Sequence, residues 1–254
     1  MRKFLAHVSC FSLVITMANA TAIATTTSNF VRLDNNANFT VGLGNMGNYY
    51  VSLFGVDFSY LNKSNNIWLD FKTNGSTNYQ LTNNGPSLTY TGFDIAGKLG
   101  YSIFLRNDLN IIPYFLFDYN SSTMVLSNNS QSMFNYDFSN TALGVGIKPE
   151  YLLFDNFKIA VDTNIYYEKQ TQILPNGSTQ SHFNNNNSYL TITPSIQYNP
   201  ISNVNLGIFY QLPISLTNNQ SNYNVTNQGI ASSSFINGFQ SPYSYVSLSV
   251  GILY

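Results

Sequence analysis

Charge is scarce in this chain of 254 residues. Asp, Glu, Lys and Arg make up 8% of it, against roughly 25% in an ordinary soluble domain, which is too little to hydrate a conventional surface. The formal net charge is -1, and only ten Lys and Arg residues are spread along the whole length. Phosphate neutralisation needs such residues clustered, which argues against nucleic acid as a partner. Cysteine is limited to Cys10 and histidine to His7 and His182, too few for a zinc site of three or four such ligands. No metal and no cofactor is expected. Long apolar runs are missing too: nothing reaches the ~18 continuous residues of a spanning helix. Disorder is excluded in turn, because 44% of the chain is hydrophobic and it holds 19 Tyr and 19 Phe, a composition that favours burial.

The longest apolar stretch is a processing signal. Arg2 and Lys3 precede Phe4 to Met17, and Ala18, Asn19 and Ala20 follow. A basic start, a short hydrophobic core and an A-x-A site predict a secretory signal peptide over residues 1–20, cleaved near Ala20. Cleavage removes Cys10, so disulfides are not expected, and leaves a net charge of about -3.

What the rest of the chain does have is alternation at period two, the signature of half-buried strands. Phe93, Ile95, Leu99, Tyr101 and Ile103 oppose Asp94, Ala96, Lys98, Gly100 and Ser102. Leu143, Val145, Ile147, Tyr151 and Leu153 oppose Gly144, Gly146, Lys148 and Glu150. Ile159, Val161 and Ile165 oppose Lys158, Asp162 and Asn164, and the chain ends on Val246, Leu248, Val250, Ile252 and Tyr254 opposed to Ser247, Ser249 and Gly251. With the stretches 49–60, 109–119, 189–198 and 204–215, eight strands result. Their connectors alternate between short turns, such as Arg106 to Asp108, and long polar loops at about 61–88, 120–140, 169–188 and 216–242. A closed antiparallel barrel predicts that alternation.

The residue types say which face meets what. Small polar residues fit a narrow lumen, and large aliphatics flanked by aromatics fit lipid. Tyr101, Tyr151, Phe157, Tyr198 and Tyr254 are expected at the short-turn rim, with Tyr60, Phe117, Tyr119 and Tyr167 at the other. Asp57, Asp94, Lys98, Asp118, Lys148, Glu150, Lys158, Asp162 and Glu168 all fall on the inward parity. A secreted soluble β-sandwich is the less favoured alternative. Ten strands would result if Phe39 to Gly44 and Ile67 to Lys72 also crossed, but both fall short of the ~9–11 residues a crossing needs. Residues 21–48 are therefore read as a periplasmic lead-in, and 67–81, around Asn74 and Gly75, as a hairpin in the first external loop. Pro113, Pro149, Pro194 and Pro213 are read as bulges or rim positions.

The signal peptide, eight amphipathic strands, short turns and C-terminal strand Tyr245 to Tyr254 resemble small Gram-negative outer-membrane β-barrel proteins of the OmpA-transmembrane, OmpX and opacity-protein type, over about residues 49–254. The resemblance implies an eight-stranded antiparallel transmembrane β-barrel in the outer membrane. It also implies that Tyr254 is an assembly signal for the barrel-assembly machinery. Architecture of this kind does not name an activity.

Three functional readings are weighed. Ser178, Ser181 and His182 could form a hydroxyl-activating pair, but a loop histidine among asparagines is read as solvated surface, and no enzyme is expected. The inward charges divide into Lys98, Lys148, Glu150, Lys158 and Asp162, able to form a structural ion-pair plug, and Asp57, Asp94, Asp118 and Glu168 nearer the outer mouth, with no lysine partner expected. The second group is a hydrated rim or else serves a cation-preferring pathway or divalent-cation site. Finally, loops that mix Tyr79, Phe134, Tyr136, Phe183, Tyr223 and Phe235 with Asn and Ser suit either variable padding or recognition of a host or matrix ligand. Surface display with adhesion through the loops is the leading expectation; a small porin is the alternative.

Overall fold

The computed structural model describes residues 33–46, 49–80, 87–128, 131–176, 179–201, 203–217 and 244–253. The expected signal peptide, most of the loop at 216–242, Ser178 and Tyr254 lie outside the described residues. Among the described residues eleven strands are formed: β1 (Asn36–Met46), β2 (Tyr49–Leu61), β3 (Ile67–Gln80), β4 (Ser87–Tyr101), β5 (Ile103–Arg106), β6 (Leu109–Asn128), β7 (Gln131–Phe154), β8 (Phe157–Asn176), β9 (Thr179–Ile201), β10 (Val204–Ser215) and β11 (Ser244–Leu253). Each pairs antiparallel with its neighbours, and the ring closes through β1 on β11 and β4 on β6. Because β4 and β5 lie end to end along β6, split at Ser102, the barrel has ten staves.

This corrects the expectation of eight strands; the ten-strand alternative holds. Phe39 to Gly44 is the middle of β1, and Ile67 to Lys72 opens β3. The reason is that strand length is set by pairing, while the apolar pattern marks only the part in lipid. In β3 the outward row is apolar at Ile67, Leu69 and Phe71 and polar beyond, yet the ladder to β2 and β4 continues. Asn74 and Gly75 make no turn: strands on both sides satisfy their backbone groups in extended form, and the Phe54 ring lies across the bare Gly75. Residues 62–66 instead form the short β2–β3 turn, with Asn66 at φ 59°, a left-handed conformation that Asn tolerates.

The stretches 120–140 and 169–188 also differ from open loops. They are the upper parts of β6 to β9, paired up to Asn128 with Gln131 and Asn176 with Thr179.

The prolines cause no bulge. Pro113 pairs with Ile147 and Pro213 with Thr191 in unbroken register. At Pro149 and at Pro194 one neighbouring ladder skips two positions and resumes without a shift, because each proline removes one donor toward one side.

Side chains alternate strictly across the wall. Outward lie Phe39, Val41 and Leu43 on β1, Leu143, Val145 and Ile147 on β7, and Val246, Leu248, Val250 and Ile252 on β11, all exposed. Inward lie Asn36, Asn38, Thr40, Asn140, Ser247 and Ser249, all buried. On β7 the apolar row runs from Leu143 to Leu153, and ten residues tilted by about 40° span about 25 Å, the height of the apolar band of a membrane barrel. Above it the outward positions turn polar at Thr141 and Lys169. Tyr60 sits at the short-turn rim, not at the long-loop rim, since β3 reverses the direction assumed for its connector.

Candidate functional site

The lumen is filled in layers, beginning at the short-turn end. Leu33, ahead of β1, packs on Leu152 and Leu253 with Phe104 against them, and Asn36 Nδ2 donates to the Leu33 carbonyl at 2.7 Å. This brings Asp34 inside the base. Lys158 Nζ donates to Asp34 Oδ1, and at 3.0 Å to Glu150 Oε1. Lys148 Nζ lies 2.8 Å from the same Glu150 oxygen and 4.0 Å from Asp34, above the Trp68 ring at 4.8 Å. Asn110 Nδ2 donates to Glu150 Oε2 at 3.1 Å, and Asn110 Oδ1 accepts from the Ser102 hydroxyl at 2.7 Å. Lys158, Asp34 and Glu150 are each 1% exposed. Charges so buried persist only when paired and hydrogen-bonded, and here two lysines share two carboxylates.

Above this base an aromatic cluster fills one side of the lumen. Trp68, Tyr114, Tyr166 and Tyr189 belong to one buried cluster with Leu61, Ile112, Leu116 and Ala142. Asp162 accepts from the Tyr114 hydroxyl and from Lys98 Nζ, which also lies 5.2 Å from the Tyr114 ring centroid. Tyr114 can reach across because Gly146 has no side chain: a Cβ there would collide with the Tyr114 ring.

The third layer holds the remaining acids. Asp57 accepts from Asn38 Nδ2 at 2.6 Å and Thr40 Oγ1 at 2.9 Å, and Asp94 accepts from Asn74 at 2.6 Å. Lys72 stands opposite Asp57 in the ladder, acts electrostatically on Asp94, and donates to the Tyr245 hydroxyl at 2.7 Å. These groups surround a cavity of about 180 Å³ that reaches down past the aromatic cluster to Asp34 and Lys148 and is lined also by Asp70, Asp118 and Asp162.

The nine charges singled out from the sequence all face this interior. Lys148, Glu150 and Lys158 come together at the base, and Lys98 and Asp162 pair at mid-height. Asp118 and Glu168 stand higher. Against expectation, Asp57 and Asp94 have a lysine beside them. That residue, Lys72, falls within the expected loop hairpin, and Asp34, a further member of the base, within the expected lead-in. The signal that could have found Lys72 is parity: Trp68, Asp70 and Lys72 alternate with Ile67, Leu69 and Phe71. Ser181 and His182 lie on β9. Among the described residues no group of three or more His, Cys, Asp or Glu is gathered so as to hold a metal ion, and no helix is long and apolar enough to cross a membrane.

A closed barrel with an apolar outside and a charged inside cannot be a water-soluble domain, because its whole girdle is exposed hydrophobic surface. The fold is an outer-membrane-type β-barrel. No family model matches the sequence, and no curated protein matches it. Solved structures do. A major outer membrane protein from Thermus thermophilus is 13% identical, with 86% of this chain and 98% of that one covered and a TM-score of 0.39. The translocator domain of the autotransporter NalP from Neisseria meningitidis is 9% identical, covering 86% of each chain at a TM-score of 0.47. The outer membrane protease OmpT from Escherichia coli is 6% identical, covering 86% of this chain and 95% of that one at 0.46. At such identities the likeness concerns fold alone. The expectation that this chain is not an enzyme is corrected: a barrel fold does not decide activity, and one of the structures just named is that of a protease.

Proposed function

We propose that this protein is an outer-membrane scaffold that displays paired-strand hairpins outside the cell and makes contacts to other cells or matrix through them. The observation that carries this reading is the continuation of β6 to β9 beyond the apolar band. From Tyr119 to Asn128 the ladder with β7 persists with one register irregularity near its tip, a rise of about 30 Å along the strand. Hydrogen-bonded hairpins present side chains at fixed spacing and lose less entropy on binding than open loops do. In this reading the chain is exported by cleavage near Ala20, the barrel-assembly machinery reads its C-terminal strand, and membrane lipid covers the girdle. The resemblance to OmpA, OmpX and opacity proteins, which rested on eight strands, narrows to the outer-membrane barrel class, since ten staves replace eight.

A passive cation pathway is the second reading, favoured by eight lumen carboxylates facing four lysines and opposed by the buried ion pairs at the base. The test of display is to shorten both hairpins to the level of the apolar band and measure attachment of cells carrying the variant. Lost attachment with a barrel that keeps its heat-modifiable gel mobility supports the reading; unchanged attachment counts against it.

A further inference from the structure

High in the lumen, the carboxylate of Glu168 on β8 has no cation bearing on it among the described residues. It is 3% exposed, its Oε1 accepts no hydrogen bond, and the charge that acts on it is the carboxylate of Asp118. The two acids flank a methyl group: Asp118 pairs with Ala142, and Ala142 pairs with Glu168. Two strand spacings separate their Cα atoms by about 10 Å. Ala142 between them carries only a methyl group, so the two carboxylates face each other across it with no larger side chain in the way.

Neutral groups at the same place point the same way, independently of the acids. Asn120 and Asn140 pair with each other two positions higher along the strands, and the Oδ1 of each lacks a hydrogen-bond partner; Asn140 is 4% exposed. Buried amides without partners are rare, and each calls for an explanation such as a bound ion.

We propose that Asp118 and Glu168, completed by the side-chain carbonyl oxygens of Asn120 and Asn140, bind a divalent cation of the calcium class. All donors are hard oxygens, and two charged with two neutral ligands in an irregular arrangement suit calcium better than the strict octahedron of magnesium. The cavity that Asp118 and Asn120 help to line gives access. The ion neutralises buried Glu168 and relieves its repulsion with Asp118, on which Lys72 and Lys98 also act, and it ties β6, β7 and β8 together just below the level at which their hairpins leave the apolar band, a role separate from whatever those hairpins bind.

The experiment uses the refolded full chain and terbium as a luminescent calcium substitute, sensitised by Tyr166, whose hydroxyl lies within electrostatic reach of both carboxylates. Terbium emission that calcium displaces is expected in the wild type. Glu168→Gln and Asp118→Asn each weaken calcium binding by about tenfold or more, since affinity follows ligand charge, and Asp57→Asn leaves it unchanged. No calcium-displaceable emission from folded wild type, or wild-type affinity in Glu168→Gln and Asp118→Asn, overturns the proposal. Heat-modifiable mobility reports folding of each variant. Should the acid variants fail to insert, Asn140→Ala carries the test: severalfold weaker binding supports the site, and unchanged binding overturns it.

Discussion

Lys158 shows how much one side chain can hold in a barrel this narrow. It bridges Asp34, which precedes β1, to Glu150 on β7. Removing one member of a buried ion pair leaves the others uncompensated, at a cost of about 3–5 kcal/mol. Lys158→Met is therefore expected to lower barrel stability by that order, read from urea unfolding in lipid vesicles. Adding Glu150→Gln should restore part of the loss. Gly146→Ala acts by volume instead: the new methyl displaces the Tyr114 ring, and overpacking of this kind costs about 1–3 kcal/mol. At the surface, Arg106 donates through Nε and Nη2 to both oxygens of Asp108 at 2.9 and 2.7 Å and so holds that carboxyl below its ordinary range. A lowered folded-state value means that the pairing contributes above the ordinary carboxylate range and is lost as pH falls through the lowered one. In Arg106→Ala, a carboxyl titration followed by NMR should show Asp108 titrating at higher pH than in the wild type.

At the scale of the element, the two faces of a strand answer differently to the same substitution. Val145 points outward in the middle of the apolar row on β7, so Val145→Lys should cost about 2–4 kcal/mol. Thr193→Lys, on the lumen side and lining the cavity near several acids, should cost far less; refolding yield and unfolding midpoint in vesicles compare the two. Strands such as β7, β8 and β11 are legible in the sequence because large aliphatics and small polar residues alternate along them. The ends of strands are not. Above the apolar band both faces are polar, and Asn184 to Asn187 looks like a loop by composition although all four residues pair with β8. Period-two contrast needs two different solvents on the two faces, and outside the membrane there is one.

The whole molecule is legible in kind and illegible in count. Parity places all nine charges inside, but two staves, β1 and β3, carry too few outward aliphatics to stand out, and with them go Asp34 and Lys72. Without these two residues the main property of the lumen stays hidden: an ion-paired base closes its lower end, and an acidic cavity runs down beside an aromatic cluster to meet it. Scarcity of charge therefore reflects a girdle that faces lipid, and most of the charge that exists holds the inside together. Single-channel recording of the refolded wild-type protein in planar bilayers tests that claim most directly. The sealed base predicts no steady unitary conductance; a stable, cation-selective unitary conductance from protein verified as folded would contradict it.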